Sequence, residues 1–129
     1  MRAFLFTSIL FSGLVAGMLY AYSCSVNIGL KLLSDSEYLK AMQSINIAIQ
    51  NPVFFISFMG LLLVFPLTVY QLYAQQHAAF YLFAAAMIVY FVSVPGVTIF
   101  CNAPLNEKLA KFSISTATQI EISAMRHAF

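Results

Sequence analysis

Residues 101–109 read Cys-Asn-Ala-Pro-Leu-Asn-Glu-Lys-Leu, and they mark the point at which the chain leaves a long apolar run. Glu107 and Lys108 are the first charged residues after Lys40. Two asparagines, Asn102 and Asn106, stand four residues apart on either side of a proline. We therefore interpret this stretch as the end of a membrane-spanning segment, where polar side chains return.

The overall composition supports a membrane protein. The chain has 129 residues, of which 62% are hydrophobic and 8% are charged, against roughly 45–50% and about 25% in soluble domains. A soluble fold of this size could not cover so much apolar surface, so we expect a lipid bilayer as its solvent. The net charge of +2 is too small and too scattered to indicate a nucleic-acid partner.

Three apolar stretches are long enough to cross a bilayer, since a spanning helix needs about 20 apolar residues. We predict spans at about residues 3–27, 52–74 and 78–101. Tyr20 and Tyr22 stand where a signal peptide would carry small cleavage-site residues, so we expect the first span to be retained. The expected fold is all-α: an integral membrane helical bundle that forms one membrane domain over residues 1–129.

Two shorter helices complete the predicted architecture. Ser34 to Glu37 supply a helix cap and acidic first-turn residues, and apolar residues then recur at helical spacing. This pattern predicts a short amphipathic helix at the membrane interface over about residues 35–50, and we expect a second short helix over about 115–128. Asn46 falls at the edge of the apolar stripe, where it either lines a pocket or, as we favour, bonds to backbone.

Small residues and prolines mark the expected packing of the spans. Gly13 and Gly17 form a GxxxG pair, for which we favour packing within the chain over self-association. Pro95 and Gly96 predict a break in the third span, where neighbours or a cavity must satisfy the freed carbonyls. Tyr90 is the most interior hydroxyl of that span, and we favour a place in the core over one that faces a cavity.

The amides of Asn102 and Asn106 have two possible roles. At the end of a span they can cap backbone carbonyls, or they can donate hydrogen bonds to a ligand. We favour capping. Pro104 predicts a turn between the two asparagines rather than one continuous helix, so that both amides could converge on the same partner.

Several chemistries lack the residues that they need. Residues 41–106 contain no Asp, Glu, Lys or Arg, which argues against a charge-relay transporter. The two His and two Cys do not have the spacing of a metal site, and we expect Cys24 and Cys101 to be free, buried thiols. Aromatic, hydroxyl and amide groups remain, and these suit an apolar or phenolic ligand.

The sequence resembles the anthrone oxygenase-like family, a family of largely unknown function. The resemblance rests on the Asn102-Ala-Pro104-Leu105-Asn106 segment with Leu109 after it, on Gln43-Ser-Ile-Asn46 followed by Asn51-Pro52, and on Gly13 and Gly17. It implies a small integral membrane protein of four helices. Some fungal members oxidise anthrones to anthraquinones with molecular oxygen and no established cofactor, whereas most bacterial relatives have no assigned activity.

One departure from the family concerns the end of the chain. Family members usually continue into a fourth spanning helix, introduced by a segment that contains tryptophan, asparagine and arginine. Residues 113–129 show no such span, and the sequence contains no Trp. We therefore expect a chain truncated before its last transmembrane helix.

Two functions are compatible with these residues. The first is a membrane protein that binds an apolar or aromatic ligand and acts without catalysis. The second is a cofactor-independent oxygenase that converts an anthrone-type aromatic to a quinone, with Asn102 and Asn106 as hydrogen-bond donors and Tyr90 or Asn46 assisting.

The distribution of basic residues predicts an orientation. With the N-terminus outside, five of the six Lys and Arg residues fall on the cytoplasmic side and only Arg2 falls outside. The positive-inside rule therefore favours an outside N-terminus. We expect the bacterial inner (plasma) membrane as the location.

Overall fold

The computed structural model describes residues 2–129, and all regular secondary structure in that part of the chain is helical. Within it, five helices follow one another: α1 (Arg2–Lys31), α2 (Asp35–Ala48), α3 (Pro52–Ala74), α4 (Phe80–Ala110) and α5 (Gln119–Ala128). Helices α1, α3 and α4 have 30, 23 and 31 residues and are long and apolar enough to cross a membrane. The predicted all-α fold class, with three potential spans and short helices beside them, is confirmed.

Helix α4 runs past its predicted end at residue 101 and continues to Ala110, so the turn predicted at Pro104 is wrong. The segment Thr98–Asn102 is a π-helical turn, and α-helical geometry resumes at Ala103. Pro104 therefore lies in the first turn of a new α-helical segment, where its missing N–H costs little. The wider π turn lets the helix accommodate a proline that would otherwise end it.

A second π-helical turn, Val92–Gly96, replaces the break predicted at Pro95 and Gly96. Pro95 has no N–H to offer the carbonyl of Phe91, and a π turn pairs that carbonyl with the residue one position later. A Cβ added to Gly96 would lie only 3.2 Å from the Phe91 carbonyl oxygen. The Pro-Gly pair thus widens α4 locally without interrupting it.

The described residues form two compact units. Unit 1 comprises the described part of Met1–Leu19 together with Asn51–Val97, and unit 2 comprises Tyr20–Gln50 and Thr98–Phe129. All Asp and Glu residues of the sequence, and every Lys and Arg except Arg2, belong to unit 2. Unit 1 therefore has the composition of a lipid-embedded bundle, whereas unit 2 carries the groups that need water.

In unit 1, the ring of Phe11 in α1 packs against Gly60 of α3. A Cβ added there would lie 2.8 Å from Cε2 of Phe11 in α1, whereas nothing lies within 4 Å of one added to Gly13 or Gly17. The interpretation of Gly13 and Gly17 as a packing motif within the chain is therefore wrong, because their face of α1 is open. Their self-association stays a prediction.

Hydroxyl groups add a polar contact to the same pair of helices. Ser8 of α1 and Thr68 of α3 are both buried, and their hydroxyl oxygens lie 2.8 Å apart. Thr68 also donates toward the backbone carbonyl of Val64, at 2.8 Å. A buried hydroxyl needs such partners because an unpaired polar group in apolar surroundings is costly. No motif in the sequence marks either residue.

In unit 2, Arg126 of α5 contacts the end of α1 and the start of α2. Its guanidinium donates to the backbone carbonyls of Leu33 at 3.0 Å and of Lys31 at 3.2 Å, which lie at and just beyond the C-terminal end of α1. The same group lies 4.3 Å from the ring centre of Tyr38 and 3.4 Å from a carboxylate oxygen of Asp35. Arg126 therefore caps one helix and holds the start of another through a cation–π contact and an ion pair.

Two short helices begin with the same capping arrangement. The Glu37 carboxylate accepts hydrogen bonds from the hydroxyl and the N–H of Ser34 at the start of α2, as the sequence predicts. Glu121 does the same with Thr118 at the start of α5. These hydrogen bonds lower the pKa of both carboxyls, so the capping stabilisation is present at neutral pH and is lost as the pH falls through the lowered pKa.

We predict that Gly60→Ala and Gly13→Ala differ in stability. Both substitutions gain about 1 kcal/mol of helix propensity, but only the first overpacks the contact with Phe11, at a cost of about 1–3 kcal/mol. Thermal unfolding in detergent should therefore show a lower Tm for Gly60→Ala than for Gly13→Ala. Equal Tm values for the two variants would show that Gly60 is not a packing contact.

Candidate ligand-binding cleft

A cleft of about 560 Å³ lies within unit 2, between α2 with its C-terminal extension and the last two turns of α4. Four of its lining residues come from the first wall and four from the second: Gln43, Asn46, Ile47, Gln50, and Ala103, Asn106, Glu107, Ala110. The volume falls in the range of about 300–1,000 Å³ that small-molecule sites occupy. The walls combine apolar surface with amide groups and one carboxylate.

Each wall of the cleft is a single helical stripe. The lining positions 43, 46, 47 and 50 follow the spacing i, i+3, i+4, i+7, and so do 103, 106, 107 and 110. Residues at this spacing share one face of a helix. Tyr38, Leu39 and Met42 of α2 are buried in the core of unit 2, so burial of one stripe leaves the neighbouring stripe to face the cleft.

Gln43 joins the two walls. Its Nε2 donates to the backbone carbonyl of Leu109 at 2.9 Å and to that of Phe112 at 3.0 Å. Leu109 lies in the last turn of α4 and Phe112 just beyond it, where backbone carbonyls lose the regular partners of the helix. The Leu109 carbonyl also accepts from the backbone N–H of Phe112, at 3.1 Å. Both N–H groups of this amide are therefore committed to the structure of the cleft, and they are not available to a ligand.

Asn46 has an amide nitrogen without a partner. Its Nδ2 is shielded from solvent and has no acceptor among the described residues, although the side chain lines the cleft. Its backbone carbonyl is already occupied, since Gln50 Nε2 donates to it at 3.1 Å. Leaving a buried donor unpaired costs about 1–3 kcal/mol. An acceptor atom on a bound molecule would remove that penalty.

Glu107 brings to the cleft a carboxylate that was not among the residues predicted from the sequence. Its Oε1 accepts from Nζ of Lys111 at 2.6 Å, and both side chains are largely exposed. The signal in the sequence was the stripe at 103, 106, 107 and 110, which exists only if the helix continues through Pro104. The turn wrongly predicted there concealed the stripe.

The structure brings together two of the four predicted ligand-binding residues. Asn46 and Asn106 both line the cleft, although their contact with a ligand stays a prediction. Asn102 does not line it; because α4 continues, it has no helix end to cap, and its side chain makes no capping hydrogen bond. Tyr90 lies in the core of unit 1 and donates to the Phe58 carbonyl at 2.7 Å, as the favoured interpretation predicts.

The structure also shows where the two cysteines lie. Cys24 and Cys101 are free thiols, but both are exposed, so their predicted burial is wrong. Apolar neighbours in sequence indicated a core, yet a lipid-facing helix surface has the same composition. Among residues 2–129, no group of three His, Cys, Asp or Glu side chains is arranged to hold a metal ion.

The fold defines the class of protein, and comparison with known proteins then shows the family. The helices and the cleft define a small all-helical protein suited to a membrane. The sequence model of one protein family, described as anthrone oxygenase, matches residues 53–128, which is more than half of the chain. This chain belongs to the anthrone oxygenase family. No curated protein and no solved structure matched it.

We predict that Gln43→Leu destabilises the protein, because it removes the two hydrogen bonds from this amide. The Phe112 carbonyl loses its side-chain donor, whereas the Leu109 carbonyl keeps the backbone N–H of Phe112 at 3.1 Å. At about 0.5–1.5 kcal/mol for each bond, the expected loss is about 1–3 kcal/mol. Ser44→Ala is the matched control, since the Ser44 hydroxyl bonds only within its own helix, to Lys40. If chemical denaturation in detergent gives the same midpoint for both variants, Gln43 does not hold the cleft together.

Proposed function

We propose that this protein binds an apolar aromatic molecule that carries a carbonyl oxygen, and that the cleft of unit 2 is the binding site. The observation that carries the proposal is the unpartnered amide nitrogen of Asn46. A ketone oxygen is the acceptor that this donor lacks. The family match supports the same chemistry, since an anthrone consists of three fused rings with one ketone.

The remaining lining residues suit such a ligand. Ile47, Ala103 and Ala110 offer apolar surface to the faces of aromatic rings, and the two small side chains leave the room that flat rings need. Asn106 supplies a second amide, which can donate to one oxygen of the ligand and accept from a phenolic hydroxyl. A few polar groups among apolar ones are typical of a small-molecule site.

The proposed setting is a membrane, with the lipid bilayer as partner. The three long apolar helices support insertion, and an apolar ligand would reach the protein by partitioning into lipid. The positive-inside rule favours an outside N-terminus, with five of the six basic residues in the cytoplasm. The bacterial inner membrane is the membrane we propose.

The family match favours a second candidate function, the oxidation of an anthrone to an anthraquinone by molecular oxygen. In this reaction one oxygen atom enters the ring system as a new carbonyl, and the other leaves as water. The substrate is acidic at carbon, and its anion can reduce oxygen directly. The protein would then need only to bind, orient and stabilise that anion.

We predict that Asn46→Ala weakens the binding of anthraquinone without destabilising the free protein. Loss of one hydrogen bond of about 0.5–1.5 kcal/mol corresponds to roughly a 2- to 12-fold rise in Kd. The free protein loses only an unpaired buried group, so its Tm should stay the same or rise. Fluorescence titration and thermal unfolding in detergent measure the two quantities.

Asn102→Ala is the control for this titration, because Asn102 is an exposed asparagine outside the cleft. Its Kd should equal that of the unsubstituted protein. The proposal fails if anthraquinone does not bind, or if the two variants have the same affinity.

We predict for the second candidate that Asn106→Ala slows anthrone oxidation and that Asn102→Ala does not. Of these two asparagines, only Asn106 lines the cleft. Loss of one hydrogen bond to the reacting molecule is expected to lower the rate several-fold. Oxygen uptake by proteoliposomes supplied with anthrone measures this rate. If the unsubstituted protein takes up oxygen no faster than empty liposomes, oxygenation is ruled out and ligand binding remains.

A further inference from the structure

We infer that Glu107 is the base that removes the carbon-bound proton of the ketone-bearing aromatic ligand. This assignment rests on the proposed function, since it concerns the molecule bound in the same cleft. It adds a reactive group to a site whose other polar side chains are amides. Nothing in the family match assigns a role to this residue.

The position of Glu107 carries the inference. It shares the stripe at 103, 106, 107 and 110 with Asn106, and across the cleft lies Asn46 with its unpartnered nitrogen. Among the residues that line the cleft, it has the only carboxylate. Amide side chains do not accept a proton near neutral pH, whereas a carboxylate does. A donor for the ketone oxygen and an acceptor for the carbon proton therefore line the same space.

Lys111 is the ion-pair partner of this carboxylate. Its Nζ lies 2.6 Å from Oε1 of Glu107, one turn away along the same helix. It does not itself line the cleft. Both side chains are largely exposed, so the pair contributes little to stability. Substitution of Glu107 should therefore leave the fold intact.

The first chemical step is a proton transfer. The C–H bond of the ligand's methylene carbon breaks, the proton moves to the Glu107 carboxylate, and the electron pair is delocalised onto the ketone oxygen. That oxygen becomes an enolate oxygen and gains negative charge. A hydrogen bond from Asn46 to it is stronger in the charged state than in the neutral ketone, so the same donor that binds the ligand favours the step.

Molecular oxygen is the oxidant in the later steps. The enolate carbon forms a bond to one oxygen atom, and the resulting peroxide anion takes the proton back from Glu107. Glu107 removes the second carbon-bound proton, the O–O bond breaks to leave a quinone carbonyl, and the departing hydroxide takes that proton from Glu107 and leaves as water. Carbon is oxidised, both oxygen atoms are reduced, and the carboxylate ends as it began.

The test separates proton removal from oxidation. The 129-residue protein in detergent is mixed with anthrone in D₂O without oxygen, and NMR follows the exchange of the methylene protons for deuterium. The unsubstituted protein should accelerate this exchange, and Glu107→Gln should lose at least about 100-fold of the acceleration, as for a general base. Glu107→Asp should retain part of it. Lys108→Gln, a charge change at the next residue, should retain all of it.

Anthraquinone binding by the same variants distinguishes the two proposals. If the Glu107→Gln variant binds anthraquinone normally but accelerates the proton exchange of anthrone only weakly, the result supports Glu107 as the base. If Glu107→Gln binds anthraquinone normally and accelerates the exchange as much as the unsubstituted protein does, Glu107 is not the base, but the binding site stands. The same conclusion follows if the unsubstituted protein binds anthraquinone but does not accelerate the exchange. If the unsubstituted protein binds no anthraquinone, both proposals fall.

Discussion

The two hydrogen bonds from Gln43 to the carbonyls of Leu109 and Phe112 are the contact on which the cleft depends. They tie the middle of α2 to the end of α4, two segments that lie far apart in the sequence. With this contact in place, the stripe that begins at Gln43 and the stripe that begins at Ala103 become opposite walls. The buried Leu39 and Leu109 extend the same contact as apolar packing. An end-of-helix acceptor and a side-chain amide thus define where the cleft lies.

The contrast between the two units gives this cleft its chemical setting. Unit 1 has almost no charged groups, and the buried hydroxyls of Ser8, Thr68 and Tyr90 are hydrogen-bonded inside it. Unit 2 holds the acidic residues and nearly all of the basic ones. Polar groups can therefore be solvated close to the cleft. The long apolar helices of the chain suit a lipid environment, in which hydrophobic molecules and dioxygen dissolve. Such a cleft suits a molecule with flat apolar rings and one or two oxygen atoms.

Much of the fold was predictable because it depends on solvent and helical period. A composition of 62% hydrophobic residues predicts long apolar helices that suit a membrane, and the cap at Ser34 to Glu37 with the stripe after it defines α2. The sequence also singles out Asn46 at the edge of an apolar stripe and Asn106 after the end of an apolar span. It favours bonding to backbone for the first and capping for the second, and ligand contact by either stays a prediction. These features are local, so the sequence displays them.

The rest depended on backbone geometry that a local rule does not give. Proline normally ends a helix, but π turns at Val92–Gly96 and Thr98–Asn102 let α4 continue. Because a turn was predicted at Pro104, the stripe that contains Glu107 was not recognised. For the same reason Asn102 was wrongly placed at a helix end. The prediction from the glycine motif failed in a similar way, because a glycine matters for packing only where a side chain of another helix lies against it. Gly60 has one in Phe11, whereas Gly13 and Gly17 have none within reach.

The side-chain amide of Asn46 provides the most direct test of the proposed site. In protein labelled with ¹⁵N at asparagine, its N–H₂ resonances can be assigned by their loss in Asn46→Asp and followed as anthraquinone is added. Binding in the cleft predicts a saturable shift of the Asn46 and Asn106 side-chain resonances, with those of Asn102 unchanged. Saturable binding that leaves the Asn46 resonances in place would contradict the account and put the ligand elsewhere on the molecule.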